Sequence, residues 1–218
     1  MNNIGVIFDV DGTIVDSYDP HHESWKYVAA QDGVTFSPEE FHRTFGCVSR
    51  EIIAMLWPRP VTEQEIKQID DAKEQAYRDI VSVEFPAMDG VSELMQTLKS
   101  QGFSLAVGSS GPRENVELAV KCLEIGGLLD AVVSGSDVKR GKPNPEIFLT
   151  AANMMGLPPS RCVVVEDATV GILAAHAAGM KCITLMSTGH KIEEFADADH
   201  VIYSLREITP ELLYRFVS

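Results

Sequence analysis

The chain has 218 residues, 45% of them hydrophobic and 23% charged, which is ordinary for a globular protein. Its formal net charge of −14 argues against nonspecific binding to nucleic acid or to an anionic membrane, because such binding needs lysine and arginine to neutralise phosphates. The four cysteines form no CxxC pair, which argues against a zinc knuckle or a redox pair.

No basic segment followed by an apolar stretch marks a signal peptide, and no apolar run approaches the ~20 residues of a membrane-spanning helix. We therefore expect a soluble, cytoplasmic protein with reduced cysteines. Cys162 and Cys182 lie beside apolar runs and should be buried. At about 150 residues per domain, the length indicates one domain that carries a smaller insertion.

The predicted elements begin with a short apolar run, 4–8, that is typical of a buried strand. Residues 16–88 then show no convincing strand, with helix-start signals at Pro38 and Thr62. Helical periodicity in this segment covers 20–32, 38–46, 49–57 and 63–82.

From residue 89 onward, apolar runs alternate with helical periods, which predicts an α/β fold with a doubly wound, Rossmann-like sheet of parallel strands. The core domain would comprise residues 1–15 and 89–218, and residues 16–88 would form an inserted, all-helical domain. The apolar runs are 104–108, 131–133, 162–165, 181–185 and 200–202, and the helical periods are 91–100, 113–123, 145–155 and 170–178. The residues that follow three of these helices, where a positive φ is favoured, are Gly102, Gly156 and Gly179.

A D-x-D-G-T motif at residues 9–13 follows the first predicted strand directly. Open α/β sheets bind ligands at the carboxyl ends of their strands, and Gly12 bends the chain so that Asp9 and Asp11 can face one reacting centre. An EF-hand loop is excluded because it would need glycine where Ile14 stands. A solvated turn would account for Asp-Gly-Thr, but not for an acidic pair that ends an apolar strand.

The segment IFDVDGT, residues 7–13, resembles the DxDxT signature of the haloacid dehalogenase-like superfamily. This resemblance implies that Asp9 is a nucleophile that attacks phosphorus and forms an aspartyl-phosphate. It also implies that Asp11 protonates the leaving oxygen and later takes a proton from the attacking water. Gly12 and Thr13 would belong to the substrate-binding loop.

Two further parts of the family pattern follow later strands. Ser109 matches the serine or threonine that donates a hydrogen bond to the transferred phosphoryl group, with Ser110 and Gly111 beside it as substrate-binding residues. Lys142, in the segment GKPNP, matches the lysine that offsets the charge of the nucleophile and holds a phosphoryl oxygen. A P-loop is excluded because Pro143 stands where that motif needs serine or threonine.

A second acidic pair, Glu166 and Asp167, ends another apolar strand. Together with Asp9 and Asp11, up to four carboxylates would meet, and they could not all ionise without a cation. Oxygen ligands beside a phosphate suit Mg²⁺. On the resemblance, the ligands would be carboxylates of Asp9 and Asp167 and the backbone carbonyl of Asp11, with Glu166 binding directly or through water.

The helical insertion resembles the cap of the β-phosphoglucomutase-like branch of this superfamily through two segments, DSYDPHHESWK at 16–26 and GCVSRE at 46–51. The resemblance implies substrate contacts for His21 and for Arg50, which corresponds to an arginine that grips a distal anionic group. Cys47 departs from the glycine that is frequent in the mutases. Ordinary surface positions remain open for His21 and Arg50. His22 is predicted to be a surface residue and Trp25 a core residue.

These features predict a Mg²⁺-dependent phosphatase that hydrolyses a small phosphorylated metabolite, such as a sugar phosphate or phosphoglycolate, through an aspartyl-phosphate. A phosphomutase of the β-phosphoglucomutase type is the alternative; Thr13, where that branch usually has valine or isoleucine, favours hydrolysis. Remoter alternatives are a phosphorylation-switched signalling module of the receiver type and a noncatalytic binding protein. The resemblance suggests a monomer.

Overall fold

The computed structural model describes residues 4–44 and 48–217 of the chain. Its internal contacts divide the chain into two compact units, one comprising residues 1–16 and 87–218 and the other residues 17–86. Within the described ranges, no helix combines the length and the apolar character needed to cross a membrane.

The first unit contains a parallel sheet of six strands: β1 (Gly5–Phe8), β2 (Ser104–Gly108), β3 (Ala131–Val133), β4 (Cys162–Glu166), β5 (Lys181–Leu185) and β6 (His200–Ile202). Their order across the sheet is β3-β2-β1-β4-β5-β6. Strand β1 pairs with both β2 and β4 in parallel, with Gly5 opposite Ser104 on one side and Cys162 on the other. This is the order of a Rossmann-like, doubly wound fold, and the predicted fold class is confirmed.

Both faces of the sheet are covered. Ile7 and Val164 belong to a core cluster on one face, and the alternate residues Val6 and Val163, which point to the other face, are equally inaccessible to solvent. Continuous apolar strands therefore predicted the layering correctly. The buried positions of Cys162 and Cys182 are confirmed as well.

The second unit is helical: α1 (Tyr18–Gln31), α2 (Pro38–Thr44), α3 (Ser49–Leu56) and α4 (Glu63–Val83). Thr62 caps α4 through a reciprocal capping box with Glu65, as its helix-start signal indicated. Trp25 is buried in an aromatic and aliphatic core, as predicted. The surface prediction for His22 is wrong: its side chain is only 13% exposed, because α1 directs the ring onto Phe41, with ring centroids 5.1 Å apart. Cys47 lies outside the described residues.

The helices of the first unit are α5 (Val91–Ser100), α6 (Arg113–Cys122), α7 (Glu146–Met154), α8 (Thr169–Ala177) and α9 (Pro210–Val217). Helix α7 packs on β1, β2 and β3, and α8 packs on β4 and β5. Gly102, Gly156 and Gly179 follow α5, α7 and α8 with positive φ, as predicted. Helix α9 is absent from the predicted elements, although Pro210 occupies a favoured first helical position.

Candidate active site at the carboxyl ends of strands β1 and β4

The site lies where the strand order of the sheet reverses, between β1 and β4. Asp9 follows β1, Glu166 ends β4, and Asp167 comes next; all three side chains are buried. The backbone N–H of Asp9 donates a 2.9 Å hydrogen bond to the carbonyl of Val165, which extends the pairing of the two strands to the site. Such a reversal point is where open α/β sheets bind ligands.

The loop after β1 turns tightly and carries Gly12 at its apex. The N–H of Gly12 donates to the carbonyl of Val15 at 2.8 Å, and the N–H of Val15 donates to the carbonyl of Val10 at 3.0 Å. Gly12 has a φ of +73°, and a Cβ atom there would overlap the Oδ2 atom of Asp167. Glycine is therefore required both by the left-handed backbone and by the close approach of Asp167.

Lys142 links the two acidic strand ends. Its Nζ atom donates to Oδ1 of Asp9 at 2.5 Å and to Oε1 of Glu166 at 2.6 Å, and its side chain is only 5% exposed. The other oxygen of Glu166 accepts the backbone N–H groups of Asp167 and Ala168, each at 2.7 Å. Lys142, the lysine predicted to offset the charge of Asp9, is thus in direct contact with Asp9.

The site contains three carboxylates and one ammonium group, and the pKa values of these groups reflect the imbalance of charge. Burial raises the pKa of Asp9 to about 7; Lys142 opposes that shift and Glu166 adds to it. The pKa of Asp167 is raised well above its usual range by burial and by the charges of Glu166 and Asp9. Burial alone would lower the pKa of Lys142, but the two carboxylates it contacts raise it above its ordinary value.

Asp9, Glu166 and Asp167 each present one carboxylate oxygen, and these three oxygens lie within 4.8 Å of one another. Three buried carboxylates beside one ammonium group leave excess negative charge, which a divalent cation would neutralise. The donors are all oxygen, as hard cations prefer. The residues present therefore fit a divalent metal ion.

The loop after β2 brings Ser109 towards Asp11. Ser109 is buried, and its Oγ atom accepts the backbone N–H of Gly111 at 3.0 Å, which leaves its own O–H to donate. A Cβ atom at Gly111 would lie 3.2 Å from that Oγ and 3.5 Å from Oδ2 of Asp11, so the two predicted catalytic side chains border the same glycine. Ser110 is exposed.

Thr13 is fully buried, and its Oγ1 atom has no hydrogen-bond partner within 4–44 and 48–217. A buried hydroxyl without a partner costs free energy, so its retention here requires an explanation beyond packing. Its place in the loop that carries Asp9 and Asp11 is consistent with the predicted role in this loop.

The two predicted substrate residues of the helical unit have separate partners. The Nδ1 atom of His21 lies 2.9 Å from Nζ of Lys73, and its ring stacks on Tyr77 with centroids 4.2 Å apart. Arg50 is exposed and forms a two-pronged ion pair with Glu63. Lys73 is buried and belongs to none of the predicted motifs. It is one of two lysines in a long polar helix, and nothing in the sequence distinguishes it from the other.

Three more residues of the first unit adjoin the acidic cluster and were not predicted. The Oγ atom of Ser187 donates to Oδ2 of Asp167 at 2.7 Å, and Nε2 of His190 lies 3.8 Å from the same oxygen. Gly171, in α8, allows room for Glu166, whose carboxylate a Cβ atom would overlap. The segment that holds Ser187 and His190 follows β5, so its place at a strand end was the available signal.

Comparison with known proteins supplies the family. A family model described as haloacid dehalogenase-like hydrolase matches residues 6–185, and the chain belongs to this family. The chain is 33% identical over 205 residues to validoxylamine A 7'-phosphate phosphatase from Streptomyces hygroscopicus subsp. limoneus, which covers 93% of this chain and 94% of that protein. It is 29% identical over 216 residues to β-phosphoglucomutase from Bacillus subtilis (strain 168), which covers 96% of this chain and 93% of that one.

The fold of this chain is also similar to that of a solved structure. A variant of CbbY from Rhodobacter sphaeroides in complex with xylulose-(1,5)bisphosphate superposes with a TM-score of 0.82 at 27% identity, over 94% of this chain and 96% of that chain. The predictions of the family, the fold and a phosphatase-type hydrolase are confirmed. The receiver-type alternative is excluded, because receiver domains have the strand order 2-1-3-4-5.

Proposed function

We propose that the chain is a Mg²⁺-dependent phosphatase that hydrolyses a small phosphorylated metabolite through an aspartyl-phosphate at Asp9. The observation that carries this proposal is the placement of the Asp9 carboxylate. It lies buried at the reversal point of the sheet, 2.5 Å from the Nζ atom of Lys142 and beside the acidic pair of β4.

In the first step, a carboxylate oxygen of Asp9 attacks the phosphorus of the substrate, and the bond from phosphorus to the ester oxygen breaks. Asp11, protonated at the start of this step, gives its proton to the departing oxygen, which leaves as an alcohol. Lys142 and the O–H of Ser109 bind oxygens of the transferred group and stabilise the negative charge that spreads over these oxygens in the transition state.

In the second step, Asp11 is a carboxylate and takes a proton from a water molecule, whose oxygen attacks the phosphorus of the aspartyl-phosphate. The bond between phosphorus and the Asp9 oxygen breaks, inorganic phosphate leaves, and both aspartates return to their starting states. A covalent intermediate divides one very slow hydrolysis into two easier displacements.

The cation would be held by the carboxylates of Asp9 and Asp167 and by Glu166 directly or through water, with the backbone carbonyl of Asp11 as the family resemblance implies. Bound Mg²⁺ supplies neutralisation of the phosphoryl oxygens and of the surplus carboxylate charge. Mg²⁺ is preferred over softer metals because the cluster offers carboxylates and neither histidine nor cysteine among the described residues.

For the substrate, the relatives favour small phosphorylated molecules: one is named for validoxylamine A 7'-phosphate, and the CbbY structure holds a sugar bisphosphate. We assign recognition of the part beyond the phosphoryl group to the helical unit, with His21, Lys73 and Arg50 as cationic or hydrogen-bonding groups. A net charge of −14 does not attract anions, so the bound cation and Lys142, together with these groups, would supply the attraction locally.

A phosphomutase is the second candidate, and the observation in its favour is the 29% identity to a β-phosphoglucomutase across nearly the whole chain. It would use the same Asp9 chemistry, but the aspartyl-phosphate would transfer to a second sugar hydroxyl instead of water. Conversion of β-glucose 1-phosphate to glucose 6-phosphate with little free phosphate would favour this candidate over hydrolysis.

The test is a kinetic survey of phosphomonoesters in which released phosphate and isomerised sugar phosphate are measured together. Asp9→Asn should abolish turnover of every substrate, whereas Asp197→Asn, at an exposed aspartate remote in sequence from the motifs, should leave it unchanged. EDTA should abolish turnover, and added Mg²⁺ should restore it. Activity that persists in Asp9→Asn would refute the mechanism.

A further inference from the structure

A loop outside the four sequence motifs holds the side chain of Asp167. Ser187 lies two residues after β5, and its Oγ atom donates a 2.7 Å hydrogen bond to Oδ2 of Asp167. This is the same oxygen that approaches the backbone of Gly12 so closely that no Cβ atom could be accommodated there. Ser187 therefore holds Oδ2 of Asp167 in the space beside Gly12 that a side chain would otherwise fill.

His190 approaches the same oxygen from the same loop. Its Nε2 atom lies 3.8 Å from Oδ2 of Asp167, while its Nδ1 atom lies 2.9 Å from Oε2 of Glu194. A carboxylate only accepts hydrogen bonds, so Nδ1 carries the proton in the contact with Glu194. Nε2 lies beyond hydrogen-bond distance of Asp167, so the ring adjoins this carboxylate without holding it. The other oxygen of Glu194 accepts the N–H of Lys191 at 3.1 Å, which fixes the carboxylate that orients the ring.

We propose that Ser187 is a positioning residue that sets the orientation of Asp167 for the cation. The inference rests on the metal site of the proposed function and concerns a residue that no motif identified. Groups that orient a metal ligand in this way typically change metal affinity by about 10- to 100-fold when they are removed. Ser187 need not touch the metal, the substrate or the reacting atoms.

The test measures the affinity of the metal-free full chain for Mg²⁺ alone and for Mn²⁺ alone, by calorimetry and by the Mn²⁺ electron paramagnetic resonance signal. Ser187→Val and Ser187→Thr form a matched pair, because they have the same shape and only threonine keeps the hydroxyl. We expect metal affinity to fall about 10- to 100-fold in the valine variant and to remain near wild type in the threonine variant.

His200→Ala, at an exposed histidine on β6, is a control and should bind metal as wild type does. At saturating Mg²⁺, Ser187→Val should recover most of its turnover, with the loss appearing in the metal concentration needed. Thermal unfolding without metal shows whether each variant is folded, and Ser187→Ala, which removes the hydroxyl and adds no bulk, keeps the test valid if the valine variant is not folded.

Equal metal affinity in wild type and Ser187→Val would overturn this inference and leave the proposed function standing. A wild-type chain that binds neither metal and still hydrolyses phosphomonoesters would overturn the metal site of the proposed function and this inference with it.

Discussion

The Nζ atom of Lys142 lies 2.5 Å from Oδ1 of Asp9, and both side chains are buried at the carboxyl end of the sheet. The lysine comes from a loop far along the chain, so the pair forms only when the whole α/β unit has folded. The charge of Lys142 favours the ionised form of Asp9, the proposed nucleophile, whose pKa burial raises to about 7. The contact therefore couples the stability of the fold to the chemistry of the site.

Lys142→Met should lower kcat on any accepted phosphomonoester by at least ~100-fold, because a preorganised charge on the transferring group is lost. The variant should also be less stable, since a buried carboxylate without its partner costs about 3–5 kcal/mol. Steady-state kinetics and urea unfolding measure the two effects. Lys139→Met, at an exposed lysine three residues earlier, is the control and should match wild type in both. Turnover within threefold of wild type in Lys142→Met would show that the contact is structural only.

Gly12→Ala should abolish metal-dependent turnover, because its Cβ atom would overlap Oδ2 of Asp167 and displace this proposed metal ligand. Gly156→Ala is a matched control: Gly156 has nearly the same φ, +70°, and no atom within 4 Å of an added Cβ. Both variants carry the left-handed strain of about 1–2 kcal/mol, so only the steric effect separates them. The increase in Tm on adding Mg²⁺ should vanish in Gly12→Ala and persist in Gly156→Ala. Equal responses to Mg²⁺ would contradict the steric account.

The residues that end or follow strands were predictable from the sequence, and this has a physical cause. The carboxyl ends of parallel strands meet at one edge of a sheet. Motifs that follow such strands therefore lie close together even when they are far apart in the chain, as Asp9, Lys142 and Asp167 are. Strands that are buried on both faces appear in the sequence as continuous apolar runs. The geometry of that edge thus followed from the pattern, and the roles of the residues remain the proposal above.

Other parts of the site depend on three-dimensional contacts that no local pattern records. In the sequence, Lys73 is an ordinary lysine of a polar helix, and its contact with His21 of α1 appears only in the folded structure. Ser187 becomes relevant only because the loop after β5 approaches Asp167. The surface prediction for His22 failed for a related reason. Helical spacing shows which face of α1 carries His22, but the contact of its ring with Phe41, which shields the ring from solvent, is not visible in the sequence.

Gly171→Ala should destabilise the protein, although replacing glycine by alanine inside a helix ordinarily stabilises it by up to about 1 kcal/mol. Gly171 lies within α8, and a Cβ atom there would overlap the Glu166 carboxylate that Lys142 contacts. The sign of the change in the free energy of unfolding, measured with urea, is therefore the test. Gly127→Ala has no atom within 4 Å of its added Cβ and should be close to neutral. A stabilised Gly171→Ala would mean that Glu166 does not occupy this position.

Asp199 offers a pH-dependent contribution to stability at the opposite edge of the sheet from the site. Its carboxylate accepts from Nζ of Lys181 at 2.6 Å, from the His176 ring at 2.8 Å and from the N–H of Cys182 at 2.9 Å. Burial by itself would raise the pKa of Asp199, but these three contacts outweigh it and lower the pKa below its ordinary value. The folded state therefore binds this proton less readily than the unfolded state does.

With a depressed folded pKa, the stabilisation is fully present above the unfolded pKa of about 3.9 and is lost as the pH falls through the folded pKa. Asp199→Asn keeps the shape but removes the charge, so it should cost about 1–3 kcal/mol at pH 7 and progressively less below about pH 4. Urea unfolding of both proteins between pH 3 and pH 7 measures this difference, with the exposed Asp197→Asn as the control. A cost that stays constant across this range would show that hydrogen bonding, and not the charge of Asp199, holds Lys181 and His176 in place.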